Sequence, residues 1–406
     1  MAMKTIKLSL THRGRLAKKY GKAGLARIDK AVKSWVAKDA ERGITTLHVA
    51  LDDAQAMARY RVAPVTGSVT PTKVKQAVDG LFKALSPDYL VLMGSSDVLP
   101  HFAVANPSFA PVDGDLDEEV PTDNPYACSR PFVKSKRESY LIPDRVVGRI
   151  PDLPGRGDPA VLVDYLAAAE SWKPGAATAY ADDLLLCCDS WKASGRECAE
   201  FLTRQAKRLL VSPPTVDGTA ALRKRHATRL HMIKCHGAQL DGRFYGERAN
   251  SDDDLPIALT SGSLAGRVVE GTVVGAMCCY GGLVFDPDDD AAEVAGALPI
   301  PTAYLQQGAY GFAGSTTIAW VGPEAMVCAD RVIASFLRGT LRGASLGRAL
   351  LEAKQDFVRF IDKQGAAPDI ADEKTLLQFY LLGDPSIHLV AAAPAGGPAA
   401  AAVGVR

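Results

Sequence analysis

Apolar runs of strand length alternate with stretches of helical periodicity along most of the chain. ITTLHVAL (44–51) predicts a strand. TPTKVKQAVDGLFKAL (70–85) predicts a helix capped by Thr70 or Thr72, and YLVLMG (89–94) a buried strand. Strand, helix, strand at this spacing reads as a parallel crossover unit. A second alternation follows a helical pattern at 160–172: strand DLLLCC (183–188), a helix over 195–210, then strands RLHMIKCHG (229–237), TVVGAMCC (272–279) and YGFAGS (310–315). Helices around 324–338 and 345–362 and a last strand near SIHLV (386–390) complete the pattern. Upstream, Leu25, Ile28, Val32, Trp35 and Val36 mark an amphipathic helix with a basic face.

The pattern breaks at three places. Residues 103–145 are loop-like, with an acidic cluster (DGDLDEE, 113–119), several prolines and a basic cluster (KSKRE, 134–138). LPGRGD (153–158) divides the chain into an N-terminal α/β subdomain, 1–155, and a second, 156–392. The Ala-, Pro- and Gly-rich tail, 393–406, reads as disordered. At 406 residues the chain exceeds the usual single core, which agrees with two α/β subdomains of mostly parallel sheet flanked by helices.

Composition narrows the partners. A net charge of +1 with 47% hydrophobic residues gives no reason to expect a nucleic-acid partner. The first forty residues do hold eleven Lys or Arg against two Asp, but without interleaved aromatics. No run is long and apolar enough for a secretory signal or a membrane span, so neither membrane nor export is expected. Eight cysteines in such a chain read as reduced thiols of a cytoplasmic protein. Cys187–Cys188 and Cys278–Cys279 are adjacent pairs, without the gap that lets two sulfurs reach one zinc, so no metal is expected. FDPDDDAAE (285–293) and SDDDLP (251–256) leave Ca²⁺ as the one cofactor to consider, although neither matches an EF-hand loop.

VVGAMCCYGG (273–282) carries the chemistry. A strand buried on both faces ends there in two cysteines and two glycines, and open α/β sheets place ligands at that carboxyl edge. IKCHG puts His236 and Gly237 at the end of another strand. A neighbouring pair of such ends would set a thiol beside an imidazole and bare backbone N–H groups for an oxyanion. Two buried strands that merely end in Cys and His are the alternative, since free Cys is a common core residue.

His-Gly ending one strand and Cys ending the next resembles the caspase–legumain–gingipain clan, with Cys279 here 43 residues after His236. The likeness is to the gingipain-type cysteine peptidases. PDYLVLMGSSDVLP (87–100), VPTDNPYA (120–127), PDRVVGRIPD (143–152), HGAQLDGRFYG (236–246) and LLGDPSIHL (381–389) resemble their signature segments in the same order. Ser95 stands where an Asp is usual, and the usual Trp after His-Gly is missing. The resemblance implies a caspase-like fold and a cysteine endopeptidase.

Neighbouring strand residues face opposite ways, so one cysteine alone meets the imidazole. Cys279, followed by Tyr280-Gly281-Gly282 and nearer the exposed end, is the expected nucleophile, and Cys278 its buried neighbour. His236 then handles the proton, and the N–H groups of Gly237 and Cys279 hold the oxyanion. Asp189 is a candidate for orienting the imidazole and equally for a helix cap. GFAGSTTIAW (311–320) resembles the family's pocket wall, which nominates Trp320. The acidic runs flanking the dyad favour Arg or Lys before the cut bond. Protein substrates, regulated cleavage and an upstream activator protein or protease follow, as does self-cleavage in trans at 11–22 or in the linker holding 113–119 and 134–137. A catalytically silent scaffold of the same fold is the alternative.

Overall fold

Ten strands share one sheet in the computed structural model, which describes residues 5–112, 114–249 and 255–391. In chain order they are β1 (Thr5–Thr11), β2 (Ile44–Ala50), β3 (Tyr89–Met93), β4 (Val147–Ile150), β5 (Asp183–Cys188), β6 (Leu210–Ser212), β7 (Leu230–Lys234), β8 (Val273–Ala276), β9 (Gly311–Ser315) and β10 (Phe379–Gly383). Their spatial order is β2-β1-β3-β4-β10-β9-β8-β7-β5-β6. β10 runs antiparallel to β9 and parallel to β4, which it meets at Leu382 opposite Arg149. The sheet is thus two parallel halves of opposite direction, joined at a single antiparallel pair. That polarity gathers the carboxyl ends of β5, β7, β8 and β9 on one edge, together with the start of β10.

The two chain segments that the sequence divides at 153–158 share this one sheet: 153–158 leads from β4 into the helix Ala160–Ser171, while β10 returns beside β4. The central strands are buried except for Tyr89 at the start of β3, as continuous apolar runs require when helices cover both faces. Thr70 caps the helix Pro71–Leu85, its hydroxyl accepting the Lys73 N–H.

Four expectations are corrected. Thr5–Thr11 is a strand lying between β2 and β3, so the predicted crossover pair is not adjacent. Residues 11–22, whose glycines predict a flexible stretch ahead of the basic helix, instead lead straight into it: Arg13–Glu41 is one long helix whose one break is Gly21 at φ 63°. The helix predicted to 210 runs over Lys192–Thr203, stops at Arg204 in the left-handed region, and leaves Leu210–Ser212 as an edge strand. The last strand is Phe379–Gly383; around 386–390 His388 and Val390 make single bridges, to Ser345 and Gly175. The tail, 393–406, lies outside the described residues.

Buried charge marks the helix Leu346–Lys363. Lys354 is 3% exposed, and its Nζ donates to Asn124 Oδ1 at 2.6 Å. Burial lowers this amine from an ordinary 10.5 to about 7, against the pull of Cys128 and Asp123. The unfolded chain therefore holds a proton between pH 7 and 10.5 that the native state does not, and stability rises with pH across that window. The slope expected from this group is at most about 1.4 kcal/mol per pH unit. Chemical denaturation at pH 7 and 8, below the range where the buried thiols titrate, checks it: the stability of the wild type relative to Lys354→Met is expected to rise over that interval.

Candidate active site

His236 and Gly237 follow β7 after Cys235 and pair antiparallel with the short strand Arg243–Tyr245, opposite Tyr245 and Phe244. The next strand in the sheet, β8, ends at Ala276 and continues through Met277 and Cys278 to Cys279. The two strand ends touch. A Cβ at Gly237 would lie 2.1 Å from the Cys279 carbonyl oxygen, so no other residue fits there without moving the Cys278–Cys279 segment. Among the described residues the Cys279 N–H finds no acceptor.

The adjacent cysteines differ in the way strand alternation requires. Cys278 is wholly buried, its thiol turned to the Ile233 carbonyl at 3.7 Å and pushed well up by desolvation. Cys279 is half-buried. Its Sγ lies 3.7 Å from the Ala319 carbonyl oxygen and 3.4 Å from the Ala319 N–H. Burial raises its thiol as well; the Ala319 backbone and Lys374 counter this, while Asp115 and Asp117 add to it.

The turn after Cys279 is strained. Tyr280 has φ 54°, a left-handed conformation that costs a non-glycine residue about 1 kcal/mol or more. Its N–H is held by the Thr317 carbonyl at 2.9 Å and its hydroxyl by Asp117 at 2.8 Å. Gly282 then packs on the backbone of Gly314, where a Cβ on either residue would approach main-chain atoms within 2.8 Å. The pair of glycines lets the turn lie flat on β9.

The acid beside the imidazole is Glu247, which sequence reading did not single out. Its carboxylate is 3.3 Å from His236 Nε2, close enough for electrostatic support but not aligned as a hydrogen bond. Trp191 packs against the imidazole, its ring centroid 4.4 Å from that of His236. Asp189, the expected candidate, does not reach the imidazole. Its carboxylate accepts the Ala249 N–H at 3.3 Å and stands 3.6 Å from Lys192, while its own N–H donates to the Glu247 carbonyl at 3.0 Å. Asp189 holds the segment that carries Glu247.

Trp320 stands 39% exposed beyond β9, in the segment that cradles Cys279. Its loop is pinned across the strand ends. Gly322 O accepts Ser194 Oγ at 2.5 Å and Lys234 Nζ at 2.9 Å, and Gly322 N–H donates to Asp330 at 3.0 Å. Lys234 and Asp330 are themselves paired at 2.7 Å with both side chains fully buried.

The acidic runs take different places. Of SDDDLP, residues 251–254 lie outside the described residues. In 285–293, Asp288 pairs with Arg156 at 2.8 Å, and Asp286 and Asp289 accept N–H groups of their own turns. Among the described residues no three His, Cys, Asp or Glu side chains gather as a metal site. The linker at 113–119 is anchored at Asp115, whose carboxylate is buried against Lys374, while Leu116 and, in the basic stretch, Lys134 are exposed.

Residues 267–390 match the model of peptidase family C25, a span that holds Cys279 and Trp320 but not His236. A solved structure described as a protease is 14% identical, with TM-score 0.59, the match covering 98% of this chain and 83% of that one. The Arg-specific cysteine proteinase gingipain R is 12% identical, with TM-score 0.63, covering 96% of this chain and 79% of that one. No curated protein matches the sequence. The solved structures show that the chain shares their mixed α/β fold, and the family match makes residues 267–390 similar to peptidase family C25.

Proposed function

We propose that this chain, similar to the gingipain-type cysteine peptidases in family and in fold, cuts proteins with a Cys279–His236 dyad. The close approach of Gly237 to the Cys279 carbonyl supports the reading most, because the strand ends that carry His236 and Cys279 meet there. His236 takes the Cys279 proton, and the thiolate attacks the scissile carbonyl. The N–H groups of Gly237 and Cys279 receive the developing oxyanion. The imidazolium protonates the leaving amine, and water then releases the acyl group. Glu247 supports the charged imidazole on its Nε2 side, and Trp320 walls the pocket for the residue before the cut bond.

That residue is Arg or Lys in this reading. The carboxylates of Glu247 and Asp189 on the His236 side favour a cation, and gingipain R, described as Arg-specific, is similar in fold. All eight cysteines are free, which supports a reducing compartment and intracellular protein substrates.

A silent scaffold is the second reading. What favours it is the Cys279 thiol, raised by burial and turned to Ala319. A peptide library read by mass spectrometry separates the two. Peptides with Arg or Lys before the cut are expected to be cleaved at least about tenfold faster than those with Ala or Asp. Faster cleavage after Ala or Asp overturns the specificity. Absence of cleavage, and of labelling by a thiol-reactive peptide probe, overturns the peptidase reading in favour of the scaffold.

A further inference from the structure

Asp117 belongs to the N-terminal subdomain, yet its carboxylate reaches the nucleophile turn. One oxygen accepts the Tyr280 hydroxyl at 2.8 Å, and the other accepts the Ile318 N–H at 3.1 Å. Ile318 precedes Ala319, which cradles the Cys279 sulfur, and Trp320 follows. One side chain thus ties together the residue after the nucleophile and the start of the pocket wall. Its own position is set from behind. Asp115, two residues earlier, is ion-paired with Lys374 of the helix Ile370–Gln378, both fully buried, and Lys374 also stands 3.8 Å from Asp117. The Asp117 N–H donates to Asp115 at 3.2 Å, and the Asp117 carbonyl accepts Asn106 Nδ2 at 2.7 Å. The strained Tyr280 conformation is what such a tether has to hold.

We propose that Asp117 is a positioning residue of the peptidase: it locks the Cys279–Tyr280 turn and the Ile318–Trp320 wall into one register from the opposite subdomain. This rests on the dyad assigned above. The two arms separate kinetically. Tyr280→Phe removes only the arm to the nucleophile turn, so kcat falls and KM stays. Asp117→Ala removes both arms, so kcat falls and KM rises together.

The test measures steady-state peptide cleavage, alkylation of Cys279 by iodoacetamide, and melting temperature, for the wild type, Asp117→Ala, Tyr280→Phe and the double variant. Asp117→Ala is expected to lower kcat at least about tenfold, since a small misplacement of a reacting group is costly. Cys279 is expected to alkylate faster in the same variant, because its turn loosens and a nearby negative charge is gone. The double variant is expected to match Asp117→Ala in kcat, since both remove one unit. The proposal is overturned if the Asp117→Ala and Tyr280→Phe losses simply add. It is also overturned if Asp117→Ala keeps wild-type kinetics and alkylation. Should Asp117→Ala unfold, Tyr280→Phe decides alone: lower kcat at unchanged KM supports the tether, and wild-type kinetics overturns it. Should the wild type cut no peptide, the dyad reading fails, and the alkylation comparison still decides whether Asp117 holds the turn.

Discussion

Cys279→Ala is expected to lower kcat/KM for peptide cleavage by at least about four orders of magnitude, and His236→Ala by a similar factor. The double variant is expected to be no worse than either single one, because nucleophile and base act as a unit. Cys278→Ala is expected to stay active. Its thiol is fully buried, faces the Ile233 carbonyl, and is pushed up by burial first and then by the neighbouring thiols Cys188, Cys279 and Cys187, so it is poorly placed to act. Its loss leaves a small cavity, worth about 1 kcal/mol of stability. Purified variants assayed on one Arg-ending peptide, with denaturation curves beside them, settle the matter. A folded but dead Cys278→Ala beside an active Cys279→Ala would transfer the nucleophile to Cys278.

Why the two strand ends that carry Cys279 and His236 were legible while their surroundings were not follows from how each is built. Cys279 and His236 end long apolar runs, and a buried strand announces both itself and its last residue. Glu247 lies in a polar loop where nothing in the local pattern distinguishes it from Arg248 or from Asp241, which instead binds the Tyr245 hydroxyl. Asp189 was visible as the acid after β5, and the structure gives it the neighbouring task of holding the Glu247 backbone. Asp117 was visible only as part of an acidic linker. Its contact with Tyr280 spans 163 residues and crosses from one subdomain to the other, which no local period encodes.

The first strand shows the same limit in the core, and it leads to the second large effect expected. KTIKLSLT reads as polar at its start, yet Lys7 is fully buried in β1. Its Nζ lies 2.6 Å from both Asp39 Oδ2 and Asp384 Oδ2, with all three side chains at 0% exposure. Ser386 accepts from it at 3.0 Å, and the Trp35 ring lies 4.2 Å away. GDPS was legible as a closing segment by resemblance; what its Asp384 does is pair with a lysine at the other end of the chain. Lys7→Met leaves two buried carboxylates, with Arg42 3.6 Å from Asp39 as the remaining cation beside them. Removing one partner of such a group costs about 3–5 kcal/mol. Burial already raises the Asp39 carboxyl above its ordinary range even with Lys7 present. Without Lys7 the native state binds protons more readily still, so the variant recovers stability relative to the wild type as pH falls. The difference in unfolding free energy is therefore expected to be largest near pH 8 and to shrink toward pH 5. Lys7→Met/Asp39→Leu, with one carboxylate fewer, is expected to recover part of the loss. Denaturant titrations of the three proteins at both pH values test this. A Lys7→Met within about 1 kcal/mol of wild type at pH 8, or a gap that does not change with pH, would show that the buried cation is not what holds β1 against the closing segment.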